Sequence, residues 1–148
     1  MKLILKNTAL EFQLGLIQVS ERVGNTTSGI TLHTYFKPDG TEQYLASGNY
    51  GLSPFYDISK LASDIVITKV FSNFNSPHTC VVFYSSADAS AIVGVHEQGT
   101  GGNQATTTIL RTNIPETAKY IRFAGSYITN VTPDSSDAST ITFRKTRF

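Results

Sequence analysis

The feature that most limits how this chain can fold is a series of short runs of β-branched and aromatic residues, each bounded by Gly, Pro, Asn, Asp or Ser. Apolar residues alternate in the early part of the chain, and a run ending at Thr34 leads into the turn sequence KPDG. Later runs are DIVITKVF, TCVVFYS, AIVGVHE, ATTTILRT, AKYIRFAGSYIT and STITFRKTRF. No amphipathic helix of 12 or more residues is convincing. The pattern predicts an all-β fold, an antiparallel β-sandwich of the jelly-roll kind.

The segment before this series is ambiguous. NTALEFQLGLIQVSERV could form a helix with Leu10, Leu14 and Ile17 on one face, but alternation accounts for more of its apolar residues and favours extended structure. A small polar linker, NTTSG, follows it. We therefore predict an N-terminal arm or attachment segment over residues 1–24 and the β-sandwich over residues 25–148, with a strand of the sandwich as the alternative for the arm.

Length and charge restrict the class of protein. A chain of 148 residues suits one domain with one core. Twelve basic residues against eleven acidic ones leave no overall field that would attract nucleic acid. The start, MKLILKNTALEF, is too short in apolar residues for a signal peptide, and no run is long enough to cross a bilayer. We expect a product made in the cytoplasm that binds no nucleic acid and inserts into no membrane.

The sequence contains no recognisable motif for catalysis or cofactor binding. The single cysteine, Cys80, excludes an internal disulfide, and its apolar strand favours a buried residue over a nucleophile beside His78. The glycine-rich stretch 97–107 lacks the GK[ST] ending of a phosphate-binding loop. Asp134 and Asp137 share a turn, for which solvated carboxylates are favoured over a calcium site. We predict no enzyme, no cofactor and no metal; the sequence does not pair the acidic residues as glycoside hydrolysis would require.

A binding surface requires only exposed aromatic side chains and adaptable polar loops, which this chain has. Seven Tyr and nine Phe supply rings that can stack on sugars, although Trp is missing. From their positions in loops or at strand ends we select Tyr50, Phe55 and Tyr127 as candidate ligand-binding residues, with packing in the core as the alternative for each. Tyr84, Tyr120 and Phe143 match the alternation of core strands.

The stretch IPETAKYIRF, from Ile114 to Phe123, combines a turn with the start of a strand. Pro115 cannot donate to a sheet and suits a strand end, and the small Ala118 suits a turn packed on the sandwich. Ile121 and Phe123 are predicted to fill the core. Arg122 would then lie on the outer face or at a subunit contact, where it could bind a carboxylate or a sugar hydroxyl or form a surface salt bridge.

Three stretches taken in order, ASGNYGLSPFYDISKLASDIVI, VVFYSSADASAIVGV and IPETAKYIRF, carry a resemblance. Over roughly residues 28–148 the chain resembles the carbohydrate-binding-like jelly-roll domains of bacteriophage and prophage tail-fibre, receptor-binding and head-fibre proteins. The resemblance implies a non-enzymatic virion structural protein, such as a head fibre, capsid decoration or tail-associated protein. It also implies a homotrimer among other virion proteins, attached through residues 1–24, with host-surface glycans as possible ligands.

Two alternatives remain open from the sequence. One is a purely architectural capsid or tail component that binds no ligand. The other is a carbohydrate-binding module of a glycan-degrading system, which the missing signal peptide disfavours because its polysaccharide would lie outside the cell.

Overall fold

A computed structural model describes residues 15–71, 77–99 and 105–148 of the chain. Within these residues the fold is built from strands and one 3-10 turn, Arg111–Asn113. The strands are β1 (Leu16–Val23), β2 (Thr31–Leu32), β3 (Thr34–Phe36), β4 (Glu42–Tyr44), β5 (Gly51–Leu52), β6 (Tyr56–Asp57), β7 (Ile65–Thr68), β8 (His78–Tyr84), β9 (Ile92–Gln98), β10 (Thr107–Ile109), β11 (Tyr120–Gly125) and β12 (Ser139–Thr146).

The strands form two antiparallel sheets and a hairpin. The first sheet has the order β1-β12-β7-β10, and the second has the order β2-β5-β11-β8-β9, with β6 also paired to β11. β3 and β4 make a separate two-stranded hairpin. β9 and β11 lie in the second sheet and β10 and β12 in the first, so the chain crosses between the sheets after each of β9, β10 and β11. The predicted all-β antiparallel sandwich is confirmed, and the runs predicted as strands from residue 64 onward correspond to β7–β12.

The main core lies between the two sheets. The first sheet contributes residues of β7 and β12 such as Ile67, Ile141 and Phe143, while β11 contributes Ile121 and Phe123. Each of these side chains is at most 3% exposed. Full burial of an Ile or Phe side chain contributes about 1.5–3 kcal/mol, so this layer dominates the stability of the fold.

The second sheet is buried on both faces. The residues that alternate with the main core on β8 and β11, such as Val82, Tyr84 and Ala124, pack with Phe36 of β3 and Leu52 of β5 in a second cluster. The hairpin thus lies over the face of the second sheet that points away from the first. This burial explains the nearly continuous apolar run of β8, because a strand covered on both faces needs no polar row.

The predicted boundary at residue 24 needs correction. β1 pairs with β12 along its whole length, from Leu16 opposite Thr146 to Val23 opposite Ser139. Val23 is fully buried in the main core. Residues 16–23 therefore form an edge strand of the first sheet, in agreement with the predicted extended structure, and only residues 1–14 of the proposed arm lie outside the described residues.

Candidate functional site

The β3–β4 hairpin owes its turn to the sequence KPDG. Lys37 N–H donates to the Thr41 carbonyl at 2.8 Å, and Gly40 N–H donates to the Lys37 carbonyl at 2.9 Å. Asp39 Oδ1 accepts hydrogen bonds from Thr41 Oγ1 at 2.6 Å and from Thr41 N–H at 3.0 Å. These bonds lower the pKa of Asp39. Gly40 has a φ of +88°, which disfavours any residue with a Cβ, so the turn sequence fixes where the hairpin reverses.

Arg122 fastens this hairpin to the second sheet. Its Nη1 donates to Glu42 Oε1 of β4 at 2.5 Å, its Nε donates to the Ser53 carbonyl at 2.5 Å, and its Nη2 donates to Thr31 Oγ1. The guanidinium carbon also lies 4.8 Å from the centre of the Phe55 ring. Burial lowers the pKa of Arg122, and the Glu42 carboxylate opposes that shift. One side chain of β11 therefore connects three earlier segments of the chain: β2, β4 and the connection between β5 and β6.

The prediction of Arg122 on an outer face is wrong. The alternation along β11 is as predicted, but the hairpin covers the row that contains Arg122, so this residue is only 4% exposed. The side chain does bind a carboxylate, that of Glu42, and it does so inside the protein. Its role is to hold the hairpin in place.

Three large apolar side chains near His33, at the start and end of the hairpin, are exposed, and we call them the hairpin surface: Leu32, Tyr44 and Leu45. Their exposed fractions are 40%, 62% and 48%. The Tyr44 ring meets the His33 ring edge to face, with 6.1 Å between centroids. Because Tyr44 is 62% exposed despite this contact, most of its side chain remains accessible to a ligand.

His33 holds the hairpin surface together. Its carbonyl accepts a hydrogen bond from Leu45 N–H at 2.8 Å, and its Nδ1 lies 2.8 Å from the Gly48 carbonyl. Its φ of +54° is a conformation that few non-glycine residues adopt. This kink separates β2 from β3.

Two polar loops border the hairpin surface. His33 N–H donates to Thr129 Oγ1 at 3.3 Å, and Thr129 N–H donates to the Asn49 carbonyl at 3.0 Å. Asn49 and Asn130 are exposed in these loops. An apolar centre with a rim of amide side chains is the usual composition of a recognition surface.

An aromatic cluster supports this end of the sandwich from below. Tyr50 lies 4.2 Å from Phe71 and 5.2 Å from Tyr35, measured between ring centroids. His78 joins the cluster at 4.8 Å from Phe71. A Cβ on Gly48 would lie 2.4 Å from the Tyr50 ring, so only glycine lets the Leu45–Gly48 turn approach the cluster this closely.

The four predicted ligand-binding residues have different positions. Tyr50 is 9% exposed and belongs to the aromatic cluster. It is therefore a packing residue, which was the alternative interpretation of its role. Phe55 is half-buried, 4.9 Å from the Tyr84 ring and in contact with Arg122. Tyr127 is half-buried in the loop that contains Thr129. The structure thus brings Phe55 and Arg122 together below the hairpin.

Sequence reasoning missed the three residues of the hairpin surface. Tyr44 lies in TEQYLASGN, where every neighbour except Leu45 and Ala46 is polar or glycine. An aromatic residue beside an aliphatic one in such a polar stretch is a signal of exposure that was available in the sequence.

The other groups considered for chemistry are engaged in local contacts. The Cys80 thiol is fully buried, donates to the His96 carbonyl at 3.7 Å, and has its pKa raised to about 12 by burial. Asp134 accepts from Thr132 Oγ1 at 2.6 Å, while Asp137 pairs with Lys69 at 3.4 Å. Residues 100–104 of the glycine-rich stretch lie outside the described residues. In the described ranges no group of three or more His, Cys, Asp or Glu side chains could hold a metal ion, and no helix is long and apolar enough to cross a membrane.

Comparisons with known proteins give little to set beside this geometry. No family model and no curated protein matches the chain. Among solved structures, the K1 cleaved adhesin domain of Lys-gingipain (Kgp) from Porphyromonas gingivalis W83 is similar at a TM-score of 0.40 and 15% identity, covering 86% of this chain and 95% of that chain. A likeness this weak carries no functional argument.

Proposed function

We propose that the chain is a non-enzymatic structural protein of a bacteriophage particle, which displays its β-sandwich on the particle surface and binds host-surface glycans through the hairpin surface. The phage assignment rests on the resemblance of residues 28–148. Attachment through the N-terminal segment and assembly as a homotrimer with other virion proteins belong to the same proposal.

The observation that carries glycan binding is the position of Tyr44. Its ring is 62% exposed, supported on one side by His33 and carried on a hairpin that the buried Arg122–Glu42 pair fixes to the sandwich. Aromatic rings held in place by such contacts provide apolar area at little cost in conformational entropy. The amide side chains of Asn49 and Asn130 are suited to the hydroxyl groups at the edge of a sugar ring.

A test compares the wild-type chain with Tyr44→Ala on a glycan array. We expect the substitution to remove most of the retained signal while the melting temperature changes little, because truncation of an exposed side chain rarely changes stability by more than about 0.5 kcal/mol. Phe148→Ala is the matched control, since this ring is 88% exposed and lies outside the hairpin surface. Equal signals from wild type and Tyr44→Ala would contradict glycan binding at this surface.

A second candidate function is favoured by the two leucines. Leu32 and Leu45 are exposed aliphatic side chains, which suit a protein contact better than a sugar. In that case the hairpin surface is an architectural contact with another virion protein. Light scattering of the purified chain, with Leu45→Ser as the variant, distinguishes a contact between copies: a trimer that dissociates on substitution, on a chain with no glycan signal, supports the architectural role.

A further inference from the structure

A cleft separate from the hairpin surface lies at one end of the sandwich. It is a half-open cleft of about 190 Å³, lined by Ile17, Asp57, Ser59, Lys60, Lys145, Thr146 and Arg147. The cleft is large enough to hold several water molecules, and hence a small polar ligand in their place.

Backbone pairing explains why these residues meet. β12 ends between two partners: Lys145 lies opposite Ile17 of β1, and it also forms a bridge with Leu61. Thr146 N–H donates to the Lys60 carbonyl at 2.9 Å, which holds the segment after β6 against the end of β12. Asp57 belongs to β6, which is paired into the second sheet. The cleft therefore opens between the two sheets, beyond the last core residue of β12.

The side-chain row of β12 changes character at this point. Ile141 and Phe143 face the core, Lys145 continues the same alternation past its edge, and Arg147 follows the end of the strand. A row that is apolar inside the sandwich thus becomes basic where the sheets separate, and Ile17 provides an apolar contact beside it.

The charges of the cleft favour an anion. Two of its basic residues, Lys60 and Lys145, face one acidic residue, Asp57, so these three groups carry a formal excess of one positive charge. Asp57 Oδ1 is already engaged by Ser59, which donates from its N–H at 2.8 Å and from its Oγ at 2.6 Å. In the described part of the chain, no carboxylate forms an ion pair with Lys60 or Lys145. The hydrogen bonds from Ser59 lower the pKa of Asp57, and the charges of Lys145 and Lys60 lower it further, by a smaller amount. A bound anion would therefore share the two ammonium groups with Asp57.

We propose that this cleft binds the carboxylate of an acidic sugar, such as a hexuronate residue of a host-surface polysaccharide. Lys60 and Lys145 contact the carboxylate, while Asp57, Ser59 and Thr146 exchange hydrogen bonds with the sugar hydroxyls. The negative charge of Asp57 disfavours a doubly charged phosphate in the same space. Only the choice of a sugar as the carrier of the carboxylate rests on the proposed function, and the site itself is separate from Tyr44.

The experiment is an NMR titration of the full-length chain with sodium glucuronate, with glucuronamide and glucose as uncharged counterparts and inorganic phosphate as a competing anion. We expect glucuronate to shift amide signals around residues 57–60 and 145–147, and the two uncharged sugars to leave them in place. The double substitution Lys60→Gln and Lys145→Gln should weaken glucuronate binding at least tenfold, since contacts to charged groups are worth that much in affinity. Lys37→Gln, in the β3–β4 turn, removes one positive charge outside the cleft and should leave the affinity unchanged.

Several results would overturn the proposal: no shift with glucuronate, equal shifts with glucuronamide, equally tight binding of phosphate, or full affinity in a folded double lysine variant. Equal binding of phosphate would show a general attraction for anions.

The two proposals fail separately. If the glycan array shows a signal that depends on Tyr44 and glucuronate does not bind, the cleft proposal falls alone; if glucuronate binds through the lysines and Tyr44→Ala has no effect on the array, the hairpin surface falls alone.

Discussion

Replacing Arg122 by Met tests the idea that this residue holds the hairpin on the sandwich. Methionine keeps an unbranched apolar stem of similar reach and removes the charge and all three donated hydrogen bonds. The substitution leaves the Ser53 carbonyl without its donor and the Glu42 carboxylate without its cation.

The expected cost follows from the burial of the pair. Removing one partner of a buried ion pair costs about 3–5 kcal/mol. The Arg122 side chain is 5% exposed and that of Glu42 is 29% exposed, so water will partly solvate the stranded carboxylate and the loss should lie near the lower limit, about 3 kcal/mol. For a chain of this size that corresponds to a fall in melting temperature of about 10 °C.

The assay is urea unfolding of four proteins: wild type, Arg122→Met, Glu42→Gln and the double variant. In the double variant no carboxylate is stranded, so the two losses should not add, with a coupling of about 1 kcal/mol or more. Arg111→Met, at an exposed arginine, is the control and should change stability by no more than about 0.5 kcal/mol. A loss below about 1 kcal/mol for Arg122→Met, or strict additivity of the two single losses, would refute the role we assign to Arg122.

Three further predictions concern buried groups. Tyr50→Ala should destabilise the fold by about 3–5 kcal/mol in thermal or urea unfolding, because it empties the centre of the aromatic cluster; a loss below about 1 kcal/mol would place the ring outside the core. Tyr84→Phe should leave stability unchanged or raise it by up to about 1 kcal/mol, because the buried hydroxyl has no hydrogen-bond partner among the described residues; a clear loss would reveal one. Burial lowers the pKa of His78 and of His96 in the folded chain below the ordinary value of 6.5. The unfolded chain therefore binds more protons as the pH falls, so stability should be complete above about pH 6.5 and decline between that value and the lower folded pKa values, and melting curves of the His78→Gln, His96→Gln double variant should lack this decline.

Much of the sandwich could be predicted from the sequence because its long strands carry their own signal. β8, β11 and β12 have six to eight residues of β-branched and aromatic character, and alternation correctly assigned Ile121 and Phe123 to the core. The same alternation shows that β11 has two faces. It does not show what covers the face that points away from the main core. An arginine between Ile121 and Phe123 therefore indicated solvent, whereas a hairpin some 80 residues earlier in the chain buries it.

The candidate site was harder to predict for a related reason. Periodicity predicts which residues of a strand share a face. It does not predict whether an aromatic residue at the end of a strand is buried or exposed. Tyr50 in SGNYG was expected in an exposed loop, but Gly48 lets the backbone fold closely over the ring. Tyr44 lies at the last position of β4 and is exposed because the core ends there.

The segments that Arg122 joins are too short to be held by sheet pairing alone. β2, β5 and β6 have two residues each, and β3 and β4 have three, so each contributes only a few ladder hydrogen bonds. A planar guanidinium with five N–H groups can replace the missing bonds, because it reaches acceptors on separate segments at fixed angles, which a lysine ammonium or an apolar side chain cannot do. An apolar residue at position 122 could fill the same space, but it would strand the Glu42 carboxylate and leave the angle between hairpin and sheet undetermined. That angle determines where Tyr44 points. The buried arginine therefore fixes the position of the exposed hairpin surface relative to the sandwich.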